Sequence, residues 1–325
     1  MNLTDVAEKA GVSVSTASKA FSGSADISKD TRERVYAAAK KLGVFDRYNK
    51  NKFDKRVVAV IVPELISEYY STHLTLLTHE IEAAGGIVLT STANFDAEKE
   101  RELFRYYANY CHADGIILLQ NMTEHSNESN TPAVAFSNER RKNLDSISID
   151  LSQGISDAIS HLMALGHTHI GFASEPLTKA KATSFINAMR EINLPVPPHA
   201  VKESTTRFEA AGAEIVQKWL DEGNLPTAVI AAYDYIAIGI IKELTRVGFS
   251  VPHDISVIGM DDISLAPFLE TSLSSIATNI EQACHKAVAL LFKKMENQFY
   301  RTRESIVIPA RFIARESTGA VKQTT

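Results

Sequence analysis

The sequence predicts a small all-α head containing a helix-turn-helix, followed by an α/β body of two doubly wound parallel-sheet subdomains. Three observations support this fold class. Residues 4–43 show only helical patterns. From Val57 onward, short apolar runs alternate with helical segments, which is typical of parallel sheets covered by helices on both faces. The alternation restarts after a helix predicted at 152–165, so we expect two subdomains.

The head begins with two short helices and a tight turn, within TDVAEKAGVSVSTASKAF (4–21). We expect Thr4 to cap the first helix, and Gly11 to end it in the left-handed conformation that glycine adopts without strain. Ser13 is expected to cap a second helix that begins at Val14. Two helices joined in this way form a helix-turn-helix, whose second helix enters the DNA major groove.

A third helix is predicted between Ser28, which can cap it, and Gly43. Its apolar face recurs at helical spacing and consists of Val35, Ala38, Ala39 and Leu42. The three helices can close a small core. A bundle of this kind that binds a protein instead of DNA is the alternative interpretation.

Charge is divided unevenly between the head and the body. Residues 1–56 contain twelve Lys or Arg and seven Asp or Glu, a net charge of +5, whereas the whole chain carries −5. Residues 57–325 therefore carry −10, from 22 basic and 32 acidic side chains. A basic head on an acidic body suits phosphate contacts made by the head alone.

Composition argues against several other classes of protein. Hydrophobic residues make up 45% of the chain and charged residues 22%, as in a soluble globular protein. No apolar run approaches the ~20 residues of a membrane span, and the polar N-terminus is not a secretory signal, so we expect a cytoplasmic protein without membrane contact. Cys111 and Cys284 have no motif spacing, and the ten histidines carry no metal signature. We expect neither a metal nor a cofactor.

Several segments resemble the lactose/galactose repressor family of bacterial transcription regulators, and the resemblance runs almost end to end. They are DVAEKAGVSVSTASKAF, TRERVYAAAKKLG, ALGHTHIGF, AAYDYIAIGIIKEL, VPHDISVIGMDD and ARESTG. The resemblance implies a body like a periplasmic binding protein and a repressor of a pseudo-palindromic operator. It also implies a small, sugar-like effector in the cleft. Because no leucine heptad follows residue 318, we expect a homodimer.

The resemblance also sets expected domain boundaries. The head is 1–45 and the hinge is 46–56. The N-terminal subdomain combines 57–151 with 283–310, and the C-terminal subdomain combines 152–282 with 311–325.

On the DNA side, the resemblance assigns base reading to Val14, Ser15 and Lys19. Lys19 could donate to the O6/N7 edge of guanine, and Val14 offers a methyl surface to thymine. Four further head residues are expected to contact mainly phosphates: Thr16, Ser22, Ser28 and Thr31. Thr4 and Ser13 are also expected at the DNA.

The linker VFDRYNKNKFDKR (44–56) departs from the family pattern, which has a hinge helix with a leucine wedge. Here Lys50 and Asn51 replace Ala-Arg, and Phe53 replaces the leucine. Phe53 can serve as a minor-groove wedge. Alternatively, the Asn- and Lys-rich linker, including Lys50, tracks phosphates.

Ligands of open α/β sheets bind beyond the carboxyl ends of the strands. The strand-end candidates are 64–70, Gln120, Ser137, Asn138, Tyr233, Asp234 and 260–262. The resemblance implies that Asp261 accepts hydrogen bonds from ligand hydroxyls and that Lys181 replaces an arginine. It also implies that Tyr69 and Tyr70, after the first strand, lie against the ligand. The predicted effector residues are Tyr69, Tyr70, Gln120, Ser137, Lys181, Tyr233, Asp234 and Asp261. The alternatives are that the tyrosines pack at the cleft rim and that Asp261 caps a helix.

Other functions were weighed against this one. An enzyme of doubly wound fold would need a phosphate-binding loop, and the sequence contains neither G-x-G-x-x-G after a strand nor G-x-x-x-x-G-K-[ST], so we do not expect an enzyme. A transport binding protein would have a signal peptide and no helix-turn-helix. Two alternatives stay open: control by a protein co-regulator, and a sugar sensor whose atypical hinge gives it weak DNA affinity.

Overall fold

The computed structural model describes residues 2–22, 24, 26–48, 55–111, 113–120, 131–137, 144–296 and 302–322. The chain divides into two units, Met1–Arg56 and Val57–Thr325. Lys50, Phe53 and Asn138 lie outside the described residues, so what the sequence suggests for them stays a prediction.

The helices of the head are α1 (Leu3–Ala10), α2 (Val14–Phe21), α3 (Lys29–Lys41) and α4 (Phe45–Tyr48). The predicted turn is confirmed, because Gly11 has φ +66° and Ser13 Oγ accepts a hydrogen bond from Thr16 N at 3.0 Å. Ser28 caps α3 as predicted, and its Oγ accepts a hydrogen bond from Thr31 N at 3.2 Å.

The predicted cap of α1 is wrong by two residues. Asn2 is the cap, and its Oδ1 accepts hydrogen bonds from Thr4 N at 2.9 Å and Asp5 N at 3.2 Å. Asp5 returns a bond, since its Oδ2 accepts from Asn2 N at 2.7 Å. This reciprocal capping box satisfies three backbone N–H donors, and it leaves Thr4 exposed in the first turn of the helix.

Helix α4 packs onto the head through an aromatic cluster that the sequence did not predict. Phe21 lies 5.4 Å from Tyr36 and 5.8 Å from Tyr48, measured between ring centroids, and Phe45 lies 5.2 Å from Tyr36. Below these rings, the buried core of the head consists of Val6, Ala7, Ala17, Ala20, Val35, Ala38 and Ala39.

The strands of the body are, in chain order, β1 (Arg56–Val62), β2 (Gly86–Thr92), β3 (Gly115–Leu118), β4 (Ala133–Phe136), β5 (Asp145–Asp150), β6 (Ile170–Ser174), β7 (Val201–Glu203), β8 (Ala228–Ala231), β9 (Ser256–Asp261), β10 (Ser274–Ala277), β11 (Ser305–Pro309) and β12 (Arg311–Ile313). Its helices are α5 (Glu68–Ala83), α6 (Ala97–Arg105), α7 (Ser152–Ala164), α8 (Lys179–Glu191), α9 (Phe208–Asp221), α10 (Asp234–Arg246) and α11 (Ile280–Glu296). A π-helical segment, Tyr106–Tyr110, continues α6.

The strands form two six-stranded sheets, and these confirm the predicted fold class. The first sheet, in the N-lobe, has the order β11-β5-β4-β3-β1-β2, and the second, in the C-lobe, has the order β12-β10-β9-β8-β6-β7. The pairs β1–β3, β3–β4, β4–β5 and β5–β11 are parallel, as are β6–β7, β6–β8, β8–β9 and β9–β10. Strand β12 runs antiparallel to β10.

Apolar residues cover both faces of the first sheet, as expected of a parallel sheet between helices. One buried cluster joins the sheet to α5 and α11 through residues such as Leu77, Ile81 and Leu291. The cluster on the other face includes Phe104 of α6 and Tyr107. The strands are therefore held from both sides, and their carboxyl ends stay at one edge.

Helices α9 and α10 of the C-lobe approach closely because each presents a glycine to the other. A Cβ on Gly239 would overlap the backbone of Glu209, and one on Gly212 would overlap the backbone of Ile236. This contact fixes the amino ends of both helices, which begin at Phe208 and Asp234 beside the cleft between the lobes.

Candidate functional sites

A cavity of about 380 Å³ lies between the lobes, at the carboxyl ends of strands from both sheets. This volume falls within the usual range of small-molecule sites, ~300–1,000 Å³. The cavity is lined by all eight residues that the sequence proposes for an effector: Tyr69, Tyr70, Gln120, Ser137, Lys181, Tyr233, Asp234 and Asp261. The structure thus brings together residues that are up to 192 positions apart in the sequence.

Lys181 and Asp261 form an ion pair on the C-lobe wall of this cavity. Lys181, in the first turn of α8, donates to Asp261 Oδ1 at 3.2 Å and to the carbonyl oxygen of Ala232 at 2.7 Å. Asp261 ends β9 with φ +94°, and Asp262 follows with φ +53°. No helix begins there, so the alternative that Asp261 is a helix cap is wrong. The two left-handed residues turn the chain away from the sheet.

Asp234 lies beneath this turn and is fully buried. Its Oδ2 accepts a hydrogen bond from Ile263 N at 2.8 Å, and its Oδ1 accepts one from Ser275 Oγ at 2.7 Å. Burial, with a further contribution from Asp261, raises the pKa of the Asp234 carboxyl to about 8. Because both oxygens are occupied, Asp234 holds the 261–263 turn in place at the floor of the cavity.

Aromatic rings form the N-lobe wall. The ring centroids of Tyr69 and Tyr70, in the first turn of α5, lie 5.1 Å apart, and Tyr70 lies 6.0 Å from Phe95. Burial raises the pKa of both phenols, and the charge of Asp261 adds to the effect. Behind them, His73 Nδ1 donates to the carbonyl oxygen of Tyr69 at 2.7 Å, and burial lowers the pKa of His73 to about 4. His73 is therefore neutral at pH 7.

Tyr233 belongs to the opposite wall, and its hydroxyl has a structural partner. Tyr233 Oη accepts a hydrogen bond from Phe208 N at 3.0 Å, and Phe208 has φ +58° at the start of α9. Burial raises the pKa of Tyr233 to about 12. The phenol thus fixes the left-handed residue that opens α9.

Among the described residues, two polar contacts join the lobes across the cleft. The Arg207 guanidinium donates to both carboxylate oxygens of Glu64, at 3.0 and 3.1 Å. Ser264 N of the C-lobe donates to Glu68 Oε1 of the N-lobe at 2.7 Å. The Arg207 guanidinium also lies 5.2 Å from the centroid of the Phe95 ring, which belongs to the N-lobe. We call Glu64 and Arg207 the interlobe pair.

The second candidate site is the exposed face of α2 in the head. Ala17 and Ala20 of this helix are buried, whereas Val14, Ser15 and Lys19 are exposed on its other side. Lys19 Nζ lies 3.4 Å from Asp26 Oδ2, but both side chains remain at least half exposed, 51% and 73%. The structure therefore presents the three residues proposed to read bases on one accessible helix.

The hydroxyl residues proposed to contact DNA make local hydrogen bonds around this helix. Ser13 Oγ and Thr16 Oγ1 are 2.8 Å apart, and Ser28 Oγ donates to Thr31 Oγ1 at 2.9 Å. Ser22 Oγ donates to the carbonyl oxygen of Lys19 at 3.1 Å. The first two bonds order the amino ends of α2 and α3, where backbone N–H groups favour phosphate, and the third lies at the carboxyl end of α2.

Comparison with known proteins identifies the family of this chain. Residues 2–44 match the family described as bacterial regulatory proteins, lacI family, and residues 159–318 match the periplasmic binding protein-like domain. Catabolite control protein A of Priestia megaterium is 30% identical over 343 residues, covering 98% of this chain and 100% of that protein. The chain belongs to the lacI family.

Other lacI-family proteins are similar over the same length. The HTH-type transcriptional repressor CytR of Escherichia coli (strain K12) is 29% identical over 334 residues, covering 98% of this chain and 96% of CytR. The structure of the lac repressor dimer bound to operator and the anti-inducer ONPF shares the fold, with a TM-score of 0.74 at 23% identity, covering 98% and 99% of the two chains. These proteins are transcriptional regulators and not enzymes.

Several cavity residues of this lacI-family protein were missed from the sequence. Glu175 directly follows β6, so the strand-end rule applies to it, whereas Thr278 directly follows β10, which lacks an apolar run in the sequence. Phe95 follows β2 after a turn with positive φ at Asn94 and Phe95 itself. Arg207 follows the unpredicted strand β7, and its partner Glu64 falls inside the predicted strand-end segment 64–70.

Four buried polar atoms at the cavity have no hydrogen-bond partner among the described residues. They are Ser67 Oγ, Gln120 Oε1, Arg207 Nε and Thr278 Oγ1. An unsatisfied buried polar group costs roughly 1–3 kcal/mol, so such groups are usually found where a ligand or water supplies the partner. They converge on the same cavity as the proposed effector residues.

Neither a membrane-spanning helix nor a cluster of metal ligands occurs within the described ranges. No helix there is both long and apolar enough to cross a membrane. No group of three or more His, Cys, Asp and Glu residues in those ranges could hold a metal ion.

Proposed function

We propose that this lacI-family protein is a transcription repressor whose operator affinity is set by a hydroxyl-rich small molecule, a sugar or sugar derivative, bound between the lobes. The observation that carries the proposal is the convergence of unpartnered polar atoms and aromatic rings on one cavity of 380 Å³. Hydroxyl groups both donate and accept hydrogen bonds, so they suit this mixture of donors and acceptors.

The individual residues take separate roles at this cavity. Asp261 and Gln120 would accept hydrogen bonds from ligand hydroxyls, and Lys181 would donate one while holding Asp261 at 3.2 Å. Tyr69 and Tyr70 would cover an apolar face of the ligand, as aromatic side chains commonly do in such sites. Ser137, Tyr233 and Asp234 complete the lining, the last two mainly by positioning their neighbours.

Regulation follows if the ligand binds one arrangement of the lobes better than another. The interlobe pair and the Glu68–Ser264 contact exist only when the lobes are close. A ligand that touches both lobes adds to these contacts, and it shifts the population toward the closed arrangement by its differential affinity. Residues 46–56 would carry this change to the head, residues 1–45.

DNA recognition is proposed for the exposed face of α2. Two chains would present two such helices to a two-fold operator, because a two-fold dimer matches a pseudo-palindromic site. The similar lac repressor structure is that of a dimer bound to operator. Phe53 as a wedge and Lys50 as a phosphate contact remain alternative ways for the hinge to add affinity.

The proposal is tested by a ligand screen coupled to operator binding. Operator half-sites are first selected from random duplexes, and sugars, sugar phosphates, nucleosides and purine bases are then screened by thermal shift. We expect a compound that raises the melting temperature and changes operator affinity. Both effects should be lost in Asp261→Ala and retained in Asp221→Ala, an exposed control at the end of α9. A protein that binds its operator equally with every compound would contradict an effector-controlled repressor.

A further inference from the structure

The cations of the cavity are already neutralised by the protein itself. Lys181 is paired with Asp261 at 3.2 Å, and Arg207 donates to both oxygens of Glu64 at 3.0 and 3.1 Å. Both partner carboxylates are largely buried, so solvent screens these pairs little. An incoming phosphate or carboxylate would have to compete with a carboxylate for each cation.

Carboxyl groups outnumber cations around this cavity. In addition to Asp261 and Glu64, the described residues place Glu175 and Asp234 there, both buried. Glu175 Oε2 accepts a hydrogen bond from Leu177 N at 3.1 Å. This donor is a neutral backbone group, so it does not neutralise the charge of the Glu175 carboxylate. Because the pKa of Asp234 is about 8, that carboxyl is mostly neutral at pH 7. The three carboxylates of Asp261, Glu64 and Glu175 thus stand against two cations, Lys181 and Arg207.

The pKa values of two neighbouring tyrosines are raised, and nearby carboxylates contribute to both shifts. Burial is the main cause of the raised pKa of Tyr70, and the charges of Asp261 and Glu64 raise it further. Burial also raises the pKa of Tyr233, with Glu175 adding to the effect. A negative charge is therefore disfavoured at several points of the wall.

The unpartnered atoms impose a second condition on a ligand. Gln120 Oε1 can only accept a hydrogen bond, and so can the carboxylate of Asp261. Ser67 Oγ and Thr278 Oγ1 can do either, and Arg207 Nε donates. An ionised phosphate has no proton to donate to the acceptors, whereas a hydroxyl group satisfies every member of this set.

Resting on the proposed function, we infer that the effector is an uncharged, hydroxyl-rich molecule and that this cleft discriminates against phosphorylated and carboxylated ligands. Sugars and nucleosides are both uncharged and carry several hydroxyls. Their phosphate esters have the same ring and differ in charge at one end. The cleft separates the two classes by charge and by the direction of the hydrogen bonds that each class makes.

The test compares matched pairs at constant ionic strength. Calorimetric titration measures D-ribose against ribose 5-phosphate, D-glucose against glucose 6-phosphate, and adenosine and cytidine against their 5′-monophosphates. We expect at least one uncharged compound to bind, and its ester to bind about tenfold or more weakly, the equivalent of one unfavourable ionic contact. An ester that binds more tightly than its parent, or a panel in which no uncharged compound binds, would overturn the inference.

A variant tests the charge argument directly. Glu64→Gln leaves the Arg207 cation without its carboxylate, so the disadvantage of the ester should shrink several-fold. The matched control is Glu222→Gln, which removes a carboxylate that pairs with Lys202 at 2.5 Å on the C-lobe surface. An ester-to-parent ratio that is the same in Glu64→Gln and the wild type would contradict the role of the paired cation.

Inorganic phosphate serves as a probe that is independent of the sugar. We expect millimolar phosphate to raise the melting temperature of the wild type no more than chloride does at equal ionic strength. Any stabilisation by phosphate that persists in Lys181→Met does not depend on the Lys181 cation. Phosphate stabilisation that disappears in Lys181→Met would place an anion in the cavity and overturn the inference.

An ester that binds tightly and also changes operator affinity would overturn the charge preference yet support the proposed function. A neutral ligand that binds more tightly than its ester without changing operator affinity would support the charge preference and contradict the proposed function.

Discussion

Glu64 and Arg207 connect the two lobes through two parallel hydrogen bonds, 3.0 and 3.1 Å long, between one carboxylate and one guanidinium. Glu64 follows β1 in the first sheet, and Arg207 precedes α9 in the second lobe. Glu64 is only 8% exposed, and Arg207 also lies against the rings of Phe95 and Phe208. A bidentate pair tolerates little movement, so it reports one relative position of the lobes.

Loss of this pair should open the cleft. Arg207→Met leaves the Glu64 carboxylate without its partner, and we expect a loss of about 1–3 kcal/mol in the free energy of unfolding together with a larger radius of gyration. Urea denaturation and small-angle X-ray scattering measure the two effects. Arg246→Met is the matched control, because it breaks an Arg–Glu pair within α10 and leaves the lobes untouched. Equal scattering curves for the two variants would show that the pair does not hold the lobes together.

Lys19 should contribute sequence preference and not general affinity. We expect Lys19→Ala to relax specificity at one base pair of each half-site, with a loss of about 1–3 kcal/mol in discrimination. The measurement is a binding profile across operator variants. Lys50→Ala is the comparison, and it should weaken all sequences about equally. Profiles of the same shape for both variants would contradict the assignment of Lys19 to a base.

The buried histidine of α5 should make stability depend on pH. The pKa of His73 is about 4 in the folded chain, below the ~6.5 of an unfolded histidine. As pH falls below ~6.5 the unfolded chain takes up a proton first, so stability that is fully present above that pH is lost down to pH 4. Between pH 7 and pH 5 we expect a loss of about 2 kcal/mol from this residue.

This loss is measured by urea denaturation at both pH values. His73→Phe keeps a ring beside Tyr69 and Phe136 but removes the titrating group, so its unfolding free energy should fall less. His79→Asn, an exposed position on the same helix, should behave like the wild type. The same pH dependence in His73→Phe as in the wild type would show that His73 contributes nothing.

The hydroxyl of Ser317 should make a large contribution to the free energy of unfolding through the second sheet. Its buried Oγ donates to the carbonyl oxygen of Val257 at 2.6 Å and accepts from Ser274 N at 2.8 Å, so it links β9 to β10. Ser317→Ala leaves both backbone groups buried and unpaired at this point, which should cost about 2–3 kcal/mol. Ser250→Ala, at an exposed serine, should stay within about 0.5 kcal/mol of the wild type in the same denaturation experiment.

The sequence predicts the apolar interior strands of this fold well because burial leaves a clear pattern. Strands such as β1 and β4 are buried on both faces and therefore read as unbroken apolar runs. Strand β10 escaped notice because it reads SSIA although it is fully buried. Its serines are not surface residues: Ser275 Oγ donates to Asp234, and Ser274 Oγ accepts a hydrogen bond from Arg315 N at 2.8 Å. Hydrogen bonds to residues distant in the sequence satisfy these buried serines, so β10 does not need the apolar residues by which a buried strand is usually recognised.

The candidate cavity was only partly predictable for a similar reason. The rule that ligands bind at strand ends leads to Tyr69 after β1, to Gln120 after β3 and to Asp261 at the end of β9. It cannot lead to Arg207, because β7 before it is a three-residue edge strand. The helix expected after Asp261 does not form, since Asp262 N donates to Ser275 Oγ at 3.1 Å in a left-handed turn. That partner is thirteen residues away and has no local signature.

Strands β11 and β12 come from one short stretch, 305–313, yet each adds the outer strand to a different sheet. On the ribosome, the head would emerge first, and its core draws only on residues up to Tyr48. The two lobes would wait for the same nine residues before either sheet acquires its sixth strand. A nascent chain would therefore carry a finished DNA-binding head on two unfinished lobes, and a single late folding event would complete both lobes.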